Sequence, residues 1–197
     1  GRWSYGVGND NGPDNAYGEI YQEIQMPGRI KKGDLFVFKV WMKSEDNYTG
    51  KASLKLQFRD RNNKLLKSYQ SKVLSGKFDW TKVVVSGEAP EGTKKVMVKC
   101  ISKNMATGKG CSFIWFDSAS VDCPIITASS TLKYAFAPKN VMKKGKWHSK
   151  YKDNQWIKIN FRQIKKFTGL SINWDKDYAK NYEILISNDG KKWNSIY

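Results

Sequence analysis

Apolar residues return at every second position in run after run of this 197-residue chain, and no stretch carries a helical spacing. Side chains alternate across a strand, so such a chain folds as half-buried sheets. The pattern is densest from Phe78 to Asp117. A β-branched run, Val83 to Val85, follows Trp80, and Gly87-Glu88-Ala89-Pro90-Glu91-Gly92 is turn chemistry. Val96, Val98 and Cys100 then alternate with Met97, Lys99 and Ile101, and Gly108 to Gly110 lead into Cys111 to Asp117. These read as three successive strands of a meander. Each has one face to bury, so a second sheet must cover them.

The rest of the chain supplies strands of the same kind. Ile20, Gln22 and Ile24 oppose Glu19, Tyr21 and Glu23, and Pro27-Gly28 and Lys32-Gly33-Asp34 mark turns. In Leu35 to Lys43, Phe36, Phe38, Val40 and Met42 form one face and Lys39, Trp41 and Lys43 the other. Leu54, Leu56 and Phe58 point inward from the next strand, with Lys55, Gln57 and Arg59 outward; a turn at Arg61 to Lys64 precedes Leu65 to Ser71. Turns recurring every ~10 residues predict an all-β sandwich. After Cys123-Pro124, the Ser/Thr-rich Thr127 to Thr131 reads as a boundary, giving units 1–125 and 126–197.

The net charge is +17. The first unit carries 20 Lys+Arg against 13 Asp+Glu, and the second 15 against 5 in little more than half the length. Such a field favours an anionic partner, such as acidic polysaccharide, nucleic acid or a phospholipid surface; a merely solvating surface fits as well. The lysines are dispersed and no nucleic-acid motif is present, so nucleic acid is not expected. No apolar run approaches the ~20 residues that span a bilayer. Cys100 and Cys111 are placed on adjacent strands, where a cross-strand disulfide and two buried thiols both fit; with Cys123 the count is odd and no zinc spacing appears.

The motif order then becomes specific. YQEI, a Gly-Asp turn, FKVWMKS, LQFRDRNNKLL, DWTKV, EAPEGTKKVMV and FIWFDSASV run in sequence over residues 1 to about 123. This resembles the jelly-roll carbohydrate-binding modules of the family 4, 9 and 22 type. Further on, a Trp147-His148-Ser149 step, QWIKINF, IKKFTGLSINW and YEILISNDGKKW follow from about Ala135 to Tyr197. That series resembles the discoidin, or coagulation factor 5/8 type C, domain, whose glycan-binding members form carbohydrate-binding module family 32. The resemblances imply two tandem β-sandwiches. They also imply a strand and loop ahead of Gly1 and further residues beyond Tyr197, so the chain is expected to be an excerpt of a longer protein.

Sugar binding needs an aromatic ring against the C–H face of a pyranose and polar groups for its hydroxyls. Parity gathers Tyr21, Lys39, Trp41, Lys43, Gln57 and Arg59 on one surface; the competing reading half-buries Trp41 under a loop. Trp115 is expected in the core, and Trp80 on a structural position of the resembled family. In the second unit the resemblance points to end loops holding Lys139, Asn140, Lys144 and His148, with Trp147, Trp156 and Trp174 in the core. It also implies a structural Ca²⁺ role for Asp117. His148 has no partner at triad spacing, and Glu19 and Glu23 lie ~13 Å apart along one strand, too far for paired glycosidase carboxylates. The expectation is a non-catalytic, extracellular or cell-surface glycan binder that targets a larger protein, such as a polysaccharide-degrading enzyme, to polysaccharide. The alternative is an adhesion module for proteins or anionic surfaces.

Overall fold

The computed structural model describes residues 4–10, 12, 14–26, 29–106, 112–143, 145–162, 164–176 and 178–197. The Pro27-Gly28 and Gly108–Gly110 turns, Cys111 and Lys144 lie outside the described residues.

Among the described residues, nine strands build the first unit: β1 (Tyr5–Asn9), β2 (Ala16–Glu23), β3 (Leu35–Ser44), β4 (Lys51–Arg59), β5 (Leu65–Gln70), β6 (Leu74–Ser75), β7 (Thr81–Glu88), β8 (Lys95–Met105) and β9 (Ser112–Asp122). One antiparallel sheet runs β1-β9-β3-β7 and the other β2-β8-β4-β5, with β6 pairing to β4. The meander expected between Phe78 and Asp117 is therefore corrected. β7 and β9 flank β3 in one sheet, while β8 lies between β2 and β4 in the other. The chain crosses the core at each connection, because three strands with one apolar face each can supply both layers. The same crossing places β8, with Cys100, and β9 in opposite sheets, so Cys100 is not on a strand hairpinned to the one that follows Cys111.

The period-two faces meet as the pattern requires. Phe36, Phe38, Val40 and Met42 of β3 pack with Val83, Val85, Ile114 and Phe116 against Leu54, Leu56, Phe58, Val96, Val98 and Cys100 of the opposite sheet. Phe36 and Phe58 meet edge to face at 5.4 Å across the two layers. Burying each such ring contributes about 1.5–3 kcal/mol. Cys100 and Cys123 are buried free thiols. Burial pushes the Cys100 thiol up to about 12 and that of Cys123 up to about 11, so neither is a nucleophile at neutral pH.

The second unit is sparser. β10 (Ile125–Ala128) pairs with β11 (Ile157–Asn160), and β12 (Leu185–Ile186) pairs with β13 (Asn194–Ser195). Asp189-Gly190 forms a turn between the last two: Gly190 sits at φ 72°, and the Asp189 carboxylate accepts from the amides of Lys191 and Lys192 at 2.7 and 2.8 Å. Trp147 donates its indole N–H to the Ser130 carbonyl at 2.9 Å. Trp156 and Trp174, expected in the core, are instead 51% and 47% exposed. Trp174 sits in a partly exposed aromatic cluster, 5.2 Å from Tyr182 and 6.2 Å from Tyr178.

Candidate functional site

Trp41 projects from the outward row of β3, because its neighbours Val40 and Met42 face the core. Its register partners are Lys82 on β7 and Asp117 on β9. It is 41% exposed: the indole points outward and keeps an accessible part, while chain from the second unit half-buries the rest, as the competing reading had it. Beside it the β3–β9 ladder slips: Lys39 pairs with Ser120 and Trp41 with Asp117, leaving Val40 opposite both Ser118 and Ala119. This β-bulge, with Ser118 at φ 50°, turns the Ser118 and Ser120 segment toward the indole.

Phe161 and Lys165 to Phe167, from the second unit, lie beside this surface. Phe161, Lys165, Lys166 and Phe167 enclose, with Lys39, Trp41, Lys82, Ser118, Ser120 and Asp122, a hollow of about 370 Å³. Three carboxylates of the sandwich anchor the overlying chain. Asp34 meets Arg162 at 3.3 Å, and Glu88 accepts from Lys139 at 2.8 Å and also from Lys143. Asp122 accepts from Lys39 at 2.9 Å and from Lys165 at 2.5 Å. Burial alone would raise the Asp122 carboxyl, but these two ammonium groups hold it below the usual carboxylate range. Lys43 turns away to Asp79 at 3.3 Å.

The expectation of one surface joining Trp41 to Tyr21, Gln57 and Arg59 is corrected. β3 belongs to one sheet, β2 and β4 to the other, so the two groups occupy opposite outer faces of the sandwich. Alternation fixes which face of its own sheet a residue takes, and cannot say to which sheet the strand belongs. Tyr21 is 62% exposed, with the Lys99 ammonium 5.4 Å over its ring; Lys99 in turn donates to Glu19 at 2.7 Å. Arg59 donates to the Gln57 side-chain oxygen at 3.0 Å and to the Asn63 carbonyl at 2.8 Å, while its buried Nε has no partner. Trp115, expected in the core, lies on the outer row beside Lys43 and Gly6 and donates to Glu45 at 3.1 Å. A Cβ on Gly6 would stand 2.9 Å from its ring, so the glycine makes room for the indole.

The second unit's residues are mostly engaged. Lys139 is tied to Glu88, and Asn140 donates to the Ala135 carbonyl at 2.7 Å. His148 lies edge-on between Phe136 and Tyr151, each 5.6 Å away. Asp117 caps the Ser118 amide, and among the described residues no group of three or more His, Cys, Asp or Glu side chains comes together. One carboxylate does not supply the six to eight oxygens of a calcium shell, so the residues described do not fit that ion. Lys82 was legible in the sequence as the outward neighbour of Val83; Ser118, Ser120, Phe161, Lys165, Lys166 and Phe167 carried no local signal that could place them here.

Residues 125–197 match the F5/8 type C domain. No curated protein matches the chain. Solved structures similar to it include the enzymatically active domain of tailspike protein 4 from bacteriophage CBA120, at 10% identity and a TM-score of 0.43, covering 60% of this chain and 17% of that one. A family 4 carbohydrate-binding module shares 18% identity at a TM-score of 0.37, over 57% of this chain and 65% of that one. The CBM22-1–GH10 modules of a Clostridium thermocellum endo-1,4-β-D-xylanase, solved with xylohexaose, share 14% identity at a TM-score of 0.36, over 60% and 24%. The chain thus spans less than two thirds of the length of each of these three. The strand order described above, rather than these likenesses, carries the fold.

Proposed function

We propose that this chain binds glycan without transforming it, as a secreted or cell-surface module that holds a larger protein on polysaccharide, and that its ligand is acidic. The carrying observation is the accessible Trp41 indole, set in a hollow with serine hydroxyls and lysine ammonium groups. An exposed ring offers the apolar surface a pyranose needs, and the hydroxyls and ammonium groups suit its polar rim. The F5/8 type C match of residues 125–197 agrees with a binding rather than a catalytic role. A glycosidase acid needs a raised pKa, and Asp122 is held low by its two lysines, which argues against hydrolysis in this hollow.

The test is affinity on an array of neutral and acidic oligosaccharides for the native chain and Trp41→Ala. Loss of retention with an unchanged thermal transition supports the reading. Undiminished retention sinks it, and collapse of the fold favours the adhesion alternative, in which the indole is structural. One observation favours a second reading, a neutral glycan on the opposite sheet: Tyr21 is open there and the Arg59 Nε lacks a partner. Tyr21→Ala would then remove binding while Trp41→Ala would not.

A further inference from the structure

The hollow has two walls from different parts of the chain, and its charges are unequally committed. Asp122, almost wholly buried at its base, takes Lys39 from β3 and Lys165 from the overlying segment. Among the described residues, Lys82 and Lys166, on the two walls, pair with no acid. Four lysines stand against one carboxylate among the residues lining a space of about 370 Å³, and with Asp117 beside Trp41 the local excess is still two positive charges. Trp41 lines one wall, and Phe161 and Phe167, 5.3 Å apart, line the other. The volume is at the small end of ligand pockets (about 300–1,000 Å³), which suits one sugar residue rather than a length of polymer.

We infer that this hollow is a composite subsite for a single anionic sugar residue, in which Lys82 from the sandwich and Lys166 from the overlying segment receive the sugar's carboxylate or sulfate while Trp41 and Phe167 flank its ring. The inference rests on the glycan reading above and adds the ligand's charge partners and the wall that supplies them. Asp122 is a positioning residue: it fixes Lys39 and Lys165, and so seats the overlying segment. The Asp34–Arg162 pair holds that segment from outside the hollow, and the Glu88 pairs with Lys139 and Lys143 tie an earlier part of the second unit to the sandwich. The two units therefore act as one binding unit. A charged donor facing an oxygen anion in a partly enclosed site contributes more than one in open solvent, so the unpaired lysines set the preference for acidic over neutral sugar.

The test is calorimetric titration of the full chain with trigalacturonate, with galactotriose as its neutral counterpart, and with galactotriose sulfated at C6 to distinguish carboxylate from sulfate. The native chain should bind at least one of the anionic trisaccharides about tenfold more tightly than galactotriose. Lys82→Ala and Lys166→Ala should each reduce that preference about threefold or more, with a smaller loss for galactotriose than for the anionic sugars, and keep the thermal transition. Asp34→Asn, which touches no ligand, should weaken all three sugars together by loosening the roof. If Trp41-dependent binding persists while neither lysine variant alters the anionic-to-neutral ratio, the inference is overturned and the glycan reading stands. If no sugar binds, the glycan reading itself fails; if sugar binds but ignores Trp41→Ala, its placement at Trp41 and this inference both fail. Retention on phosphatidylserine vesicles with none of the sugars bound overturns both in favour of a membrane surface.

Discussion

The two outer faces of the sandwich hold similar residues and differ in how those residues are spent. On the Tyr21 face, Glu19 holds Lys99, Glu23 reaches Lys95 at 3.8 Å, and Arg59 is bonded to Gln57 and Asn63. In the hollow beside Trp41 a single lining acid serves two lysines, and two more are left without an acid among the described residues. Basic residues on a surface do not by themselves make an anion site. What matters is the charge left after local pairing, and whether a second wall excludes water from it.

Four perturbations separate the faces, in falling order of expected effect. Phe58→Ala, in the core beneath both, should cost about 3–5 kcal/mol in chemical denaturation and remove both faces together; a loss under 1 kcal/mol would mean that the layers do not share one core. Trp41→Ala should weaken an acidic oligosaccharide by about ten- to thirtyfold, about 1.5–2 kcal/mol, against less than twofold for Tyr21→Ala; the reverse order would hand the function to the opposite face. Raising NaCl from 50 to 500 mM should reduce acidic-sugar affinity severalfold and leave a neutral sugar's unchanged, as titration at the two salt concentrations would show.

The smallest effect is in pH. For Asp122 and Glu88, burial opposes ionisation, but their lysine partners outweigh it and the net shift is downward. A depressed carboxyl stabilises the folded state above its unfolded pKa, and that contribution disappears as pH falls through the folded value. The thermal transition of the free chain should therefore be flat from about pH 8 to 5 and fall below about pH 4, where an unperturbed carboxyl begins to protonate. Asp122→Asn should flatten part of that acid limb. A main loss of stability between pH 6 and 7 would mean that other groups hold the overlying segment.

Much of the fold was legible because alternation is a one-dimensional signal. The rows Phe36-Phe38-Val40-Met42 and Leu54-Leu56-Phe58 are inward in the structure as in the sequence, and the Asp189-Gly190 turn forms where its residues demand one. Trp41 was correctly read as outward for the same reason. The single surface joining it to Gln57 and Arg59 was not there, because equal parity on β3 and β4 places residues on equivalent faces of different sheets. Trp115 was missed because a core reading ignored the room that Gly6, far away in sequence, leaves for its ring.

The sequence by itself determined the secondary-structure class, the buried rows, the basic surplus and the outward indole, since each depends on residue type and near-neighbour spacing. Tertiary structure alone decided which strands share a sheet, that a bulge brings Ser118 and Ser120 to Trp41, and that Phe161, Lys165, Lys166 and Phe167 come to lie beside it. Those outcomes depend on pairings between positions 40 to 130 residues apart, and on which lysines the few acids capture; no local pattern encodes either.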